Sequence, residues 1–555
     1  MDPDSTVLPP ECCVCLLMGI FVDSQVQNSI SMLPMALLAR ILQHVPQEER
    51  LASCALVSKA WAAAAAAATV SIHVEGLNSS KTASLQSWVE LHARQLQSLR
   101  LQRRYWQSRS PLQLPCAELQ QLSVLHLSGV QPLLQKAHVN ASSSSTQPPF
   151  LPALKDLRLI SLTADNAGTL LQFASCTGVT QLRLESVTFL PPGAKTYASR
   201  DRALEEQAAH TTSAALGLLK SMTQLQRLHF VAGPVERQAW MGAVFTTSIT
   251  ALTLSLDMRR SALPCVPQSL SRLVDLQELS LDLEGDGIDP HLLAGMSLLQ
   301  RLTLQDCALL PDPAGVAGPD ALLAAVGSIQ QLQHLVVTVE RGVVRPAHAL
   351  TSAKPSSCAA LTASNHLTHM EVGNDSHQPL PMGASQHMFP PGLSRPQLRT
   401  LILSWQEVQG DTHVTPFVTG AELADMISAC PALNSLDIVG ALQQGSSCSS
   451  LLKLPETCRE LCVGGDAFGD TAADTLKQLT QLTSLRWTCS DTLTDAGLYK
   501  LTALTGLQEL YLRDDDGLSD ALMVDENDEI GGRDFEVHLE ATDQVGWGGC
   551  FELRF

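Results

Sequence analysis

Residues Leu299 to Cys307 read LQRLTLQDC. In an extended segment side chains alternate between faces, so Leu302 and Leu304 point one way and Thr303 the other. Leu299 completes a leucine-x-x-leucine-x-leucine frame, and the small thiol of Cys307 suits a tight turn off the strand. One such strand cannot bury its leucines alone. A stack of them can, because each coil covers the next. The frame recurs on both sides. Upstream it returns as LSVLHL, LKDLRL, VTQLRL, LQRLHF, ITALTL and LQELSL. Downstream it returns as LQHLVV, LTHMEV, LRTLIL, LNSLDI, CRELCV, LTSLRW and LQELYL. With a first copy around Leu99 and Leu101, that makes about fifteen copies, mostly spaced by roughly 23 to 35 residues.

This frame resembles the strand segment of a leucine-rich repeat. The resemblance implies an α/β solenoid, a horseshoe with strands lining its concave side, over residues 69–513. SLQSWVELHARQLQSLRL shows the plan of one coil: a helix with Leu85, Trp88, Val89 and His92, then the strand. TVSIHV alternates and reads as a strand that opens the stack. Spacers too long for a helix and a turn are expected to project as loops near 141–149, 191–212, 341–365 and 373–396.

Composition agrees with a repeat array. A chain of 555 residues is too long for one ordinary core. Aromatics are only 4%, so Leu and Ala carry the packing. Of the net charge of −19, residues 514–555 supply −11, from 13 acidic and 2 basic side chains. That stretch reads as an acidic tail or terminal cap, since Phe535, Val537 and Leu539 alternate. The balance argues against a nucleic-acid partner. The fifteen cysteines show no paired CxxC spacing, so they read as buried free thiols of a reducing compartment, with no metal expected. His366, His369, His377 and His387 fit no standard ligand frame. The apolar run after the acidic start is too short to span a bilayer, and its flank has the wrong sign for a signal peptide. Residues 1–28 therefore read as a loosely packed leader, with no membrane partner and a cytoplasmic or nuclear location.

Residues 29–68 differ in kind. Leu33, Leu37, Leu38, Ile41, Leu42 and Val45 follow helical spacing, with Pro34 at a first helical position. Pro46 ends that helix. Leu51, Leu56, Val57 and Trp61 give a second apolar set, and the polyalanine run Ala62 to Ala68 extends the last helix. The module is too small to be very stable alone, so its apolar faces need a partner. The Leu33-Pro34 opening, Leu37-Leu38, Ile41-Leu42, Leu51 and the Leu56-Val57-Ser58-Lys59-x-Trp61 close resemble an F-box. Ala36 and Arg50 depart from it. Together the two modules resemble F-box/leucine-rich-repeat proteins of the plant or green-algal type. The resemblance implies docking on a Skp-type adaptor, and through it a cullin, by Leu33, Pro34, Leu37, Leu38, Ile41, Leu42, Leu51, Leu56, Val57 and Trp61. The chain would be the substrate-recognition subunit of a ubiquitin ligase. The other reading is a repeat scaffold whose N-terminal helices only cap the solenoid.

Target recognition would fall to the residue between the last two leucines of each frame, which faces solvent. Through the first five full frames it is Arg100, His126, Arg158, Arg183 and His229. The middle of the array is neutral there and the later part mixed. Five strands about 5 Å apart would make a basic ladder roughly 20 Å long, suited to an acidic or phosphorylated protein target. Asp156 and Glu185 flank it. The sequence has no GxSxG, HExxH or GxxxxGK[ST], so no catalytic residue, enzyme activity or cofactor is expected.

Overall fold

The computed structural model describes residues 34–45, 59–77, 79–103, 112–116, 118–130, 132–135, 151–161, 163–164, 168–189, 212–232, 243, 245–256, 268–283, 287–305, 308–309, 318–339, 353–374, 380–405, 418–442, 448–464, 468–488, 493–513, 536–538 and 550–554. The chain divides into two compact units, Met1–Leu225 and Gln226–Phe555. Of the sequence expectations, the leader 1–28, the loop 141–149, residues 191–211 and Cys307 lie outside the described residues.

The first unit begins with helix α1, Met35–Leu42. Pro34 sits just before the helix, and its carbonyl accepts from the N–H groups of Leu37 and Leu38 at 2.9 and 3.0 Å. Helix α2, Lys59–Ala68, contains the polyalanine run. Leu38, Leu42 and Val45 pack against Trp61, Ala64, Ala65 and Ala68. Alanine lets the two helices approach closely while Trp61 fills the volume between them. Helix α2 gives way to a strand at Thr69, whose hydroxyl donates to the Ala65 carbonyl at 2.7 Å. The Gln95 amide donates to the Ala66 carbonyl and ties the module to the first coil.

Five parallel strands follow: Ser71–Val74, Ser98–Gln102, Val124–Ser128, Asp156–Ile160 and Gln181–Glu185. Helix α3, Ser79–His92, precedes the second strand and buries Leu85 and Val89. The leucines of successive frames lie in one register, Leu99 beside Leu125, Leu157 and Leu182, all buried. Stacked identical rows replace an irregular core. The chain leaves three of these strands through the same left-handed residue, at Gly129, Ser161 and Ser186, with φ of 65°, 50° and 50°. Their geometry continues the ladder: the N–H of Gly129 reaches Ile160 O at 2.8 Å and that of Ser161 reaches Glu185 O at 2.7 Å.

The second unit repeats the plan. Among the described residues, eleven parallel strands run from Arg227–Ala232 to Glu509–Arg513 in unbroken register. Strand Cys550–Arg554 then adds antiparallel to Glu509–Arg513, and Glu536–His538 pairs antiparallel with it. The end of the chain folds back, with Val537 in a strand as its alternation implies.

Two of the expected loops are partly ordered coil. Residues Pro355–Thr362 form a 3-10 helix with Cys358 and Leu361 buried, and Ala384–Met388 form a short helix with Ala384 and Met388 buried. Small Ala and Ser side chains, read as loop composition, here let the back of the coil pack tightly. Pro355 takes a first helical position, where its missing N–H costs nothing. Among the described cysteines, Cys116, Cys176, Cys358, Cys430, Cys448 and Cys458 are buried. Burial pushes the thiols of Cys116, Cys358, Cys430 and Cys458 up to about 12, so they stay protonated and inert. No described helix is long and apolar enough to cross a membrane.

Candidate functional site

Two surfaces carry the residues singled out from the sequence. The first is the α1–α2 module. Leu38, Leu42 and Trp61 do not face outward: they are its interior, with Trp61 only 4% exposed. Pro34, Met35 and Leu37 are exposed, the last two at 44% and 46%, and Ile41 is half-buried. The 3.6-residue period puts Leu37 and Ile41 on one line along α1 and Leu38 and Leu42 on the neighbouring line, about 100° further round. The docking set named from sequence thus splits into a core half and a presenting half. Met35 is exposed as well, but it lies two residues before Leu37 and so off its helical line, where spacing from Leu37 would not have added it. Leu33, Leu51, Leu56 and Val57 lie outside the described residues.

The second surface is the solvent-facing side of the first unit's sheet. Arg100, His126, Arg158 and Arg183 stand side by side in register on neighbouring strands. His73 extends the row by one strand, opposite Arg100. The same alternation that buries Ile72 turns His73 outward, so the sequence did contain that signal. His229 belongs to the second unit, where it stands beside Thr253.

Acids compensate much of this row. His126 Nε2 donates to Asp156 Oδ2 at 2.9 Å. Arg158 donates to both oxygens of the same carboxylate, from Nε at 3.2 Å and from an Nη at 3.1 Å. Burial pushes the Asp156 carboxyl up, but the hydrogen bonds from His126 and Arg158 outweigh it and hold the group below the usual carboxylate value. Arg183 places Nε and an Nη on Glu185 Oε2. His73 Nε2 lies 3.6 Å from Glu75. Among the described residues Arg100 has no ion-pair partner, and it is exposed.

The second unit presents a different face. His334 and His369, in register on adjacent strands, stack with centroids 4.0 Å apart and planes within 1°. Burial, with His369 and Arg301 adding to it, lowers the His334 imidazole to about 4, so it is neutral near pH 7. Burial raises the Asp437 carboxyl, and Arg486 lies over the Tyr511 ring at 4.8 Å from its centroid. Among the described residues no three His, Cys, Asp or Glu side chains gather in a way that could hold a metal ion.

Comparison with known proteins places an F-box domain at residues 30–66, the stretch that holds α1 and most of α2. No curated protein matches the chain. Solved structures similar to it include a leucine-rich-repeat protein of Leptospira interrogans, at 14% identity and a TM-score of 0.42, covering 79% of this chain and 100% of that one. An internalin of Listeria monocytogenes is similar at 13% identity and a TM-score of 0.30, covering 91% of this chain and 98% of that one. The repeat fold itself rests on the stacked parallel strands and their leucine rows. The chain thus carries an F-box domain at residues 30–66, followed in sequence by stacked parallel strands with leucine rows.

Proposed function

We propose that the chain is the substrate-recognition subunit of a cullin-RING ubiquitin ligase. The F-box docks a Skp-type adaptor and through it a cullin, and the repeat face holds a protein target. The observation that carries this reading is the F-box match at residues 30–66, on a packed helical module that keeps Pro34, Met35 and Leu37 exposed. Exposed apolar side chains on a helix whose neighbouring apolar line is already packed are available to a partner. The chain itself is non-catalytic in this reading. It works by proximity, raising the effective concentration of target lysines near a charged conjugating enzyme supplied by other subunits. Its place is the cytoplasm or the nucleus, where such ligases work. Arg100, exposed on the strand row of the first unit, favours an acidic or phosphorylated target.

The test is capture of the intact chain by an immobilised Skp-type adaptor. Retention is expected for the wild type and is expected to vanish for Met35→Asp with Leu37→Asp, while circular dichroism stays unchanged. A wild-type chain that every adaptor fails to retain would leave only the capping role for the N-terminal helices.

A further inference from the structure

We infer that Arg100 sets which anionic segment the target-facing row accepts, while Arg158 and Arg183 hold the row in place without binding the target. The inference rests on the receptor reading above and narrows it to one residue. Opposed charges within hydrogen-bonding distance neutralise one another, and a ligand must displace one partner to use the other. Arg158 is closed on Asp156 by two hydrogen bonds, and the same carboxylate takes the His126 N–H. Arg183 is closed in the same way, its Nε and one Nη both ending on a single oxygen of Glu185. An incoming anion therefore meets two closed pairs, which add almost no net charge to the row.

Arg100 differs in kind. It is exposed, has no ion-pair partner among the described residues, and lies between His73 and His126 in register. Ser98 and Gln102 share its face of the strand, two residues to either side, and add neutral donors. A guanidinium offers a planar fork that matches a carboxylate or a phosphate with two parallel hydrogen bonds. One open fork flanked by neutral donors suits a single anionic group presented on a segment. A polyacidic run would need a continuous ladder, and the closed pairs interrupt it after one strand. The occupant is thus a target segment bearing one carboxylate or phosphate where it crosses Ser98–Gln102.

The experiment uses the full chain and oriented libraries of short fluorescent peptides with a fixed central phosphoserine, aspartate or alanine. Fluorescence anisotropy reads the affinity. Wild type is expected to prefer one anionic library over the alanine library, and the better of the two identifies the group. Arg100→Glu should weaken that binding by about tenfold or more. Removing a whole closed pair, Arg183→Gln with Glu185→Gln, should change it less than about twofold, since net charge is unaltered. The inference is overturned if Arg100→Glu binds like wild type, if the double variant loses as much as Arg100→Glu, or if wild type ignores both anionic libraries. Adaptor capture is measured on the same preparations. Loss of capture with the Arg100 dependence intact would sink the ligase reading and leave this one standing.

Discussion

Trp61 and Leu37 lie in one small module and should respond to mutation in opposite ways. Trp61 fills the space between α1 and α2, so Trp61→Ala leaves a cavity and costs about 3–5 kcal/mol. A module of this size cannot absorb that, and limited proteolysis should cut within Lys59–Ala68 of the variant but not of the wild type. Leu37→Asp should leave the cleavage pattern as it is. His334 makes a pH prediction. Its folded value, about 4, lies below the ordinary value of 6.5, so the unfolded state binds the proton first. The neutral imidazole's contribution is complete above about pH 6.5 and is lost as pH falls toward 4. Half-exposure and screening reduce it to about 1–2 kcal/mol. The melting temperature should fall across that window, and by less in His334→Gln; equal losses in both would assign the effect elsewhere. The outward row was legible because strand alternation is absolute. Its ion pairs were not, because the choice between Asp156 and solvent is made by rotamers. Nor was the His334–His369 stack, since a spacer of unknown course separates those residues.

Three strands of the first unit leave their ladder through a turn that favours glycine at one position. Gly129 adopts it freely, whereas Ser161 and Ser186 hold φ of 50° against the clash a Cβ brings. Ser161→Gly should therefore stabilise the first unit by about 0.5–1 kcal/mol, and Ser161→Val should destabilise it. A thermal series ranking glycine above serine above valine supports this; valine at or above serine contradicts it. The strands were readable from the leucine frames because a strand's burial is set by neighbours of the same kind. The backs of the coils were less readable. At Pro355–Thr362 and Ala384–Met388, Pro, Ser and Ala form short helices, because a neighbouring coil supplies the burial that the local sequence lacks. In the F-box module helical spacing gathered the apolar residues of α1 but could not divide them between core and surface. That division depends on where the second helix lies.

A stack of parallel strands has two ends, and each would offer unpaired backbone groups to another chain. In the second unit one end is closed. Cys550–Arg554 runs against Glu509–Arg513 with Leu553 opposite Leu510 and Phe551 opposite Leu512. Deleting residues 514–555 should expose that edge and produce concentration-dependent self-association, read by light scattering after size exclusion. A deletion variant that stays monomeric and melts like the full chain would show the edge to be harmless. The reversal also changes which strand is left at the rim. Cys550–Arg554 gives one side to Glu509–Arg513 and the other to Glu536–His538, so the outermost described strand is a short one. So brief a stretch of backbone offers a neighbouring molecule little to pair with.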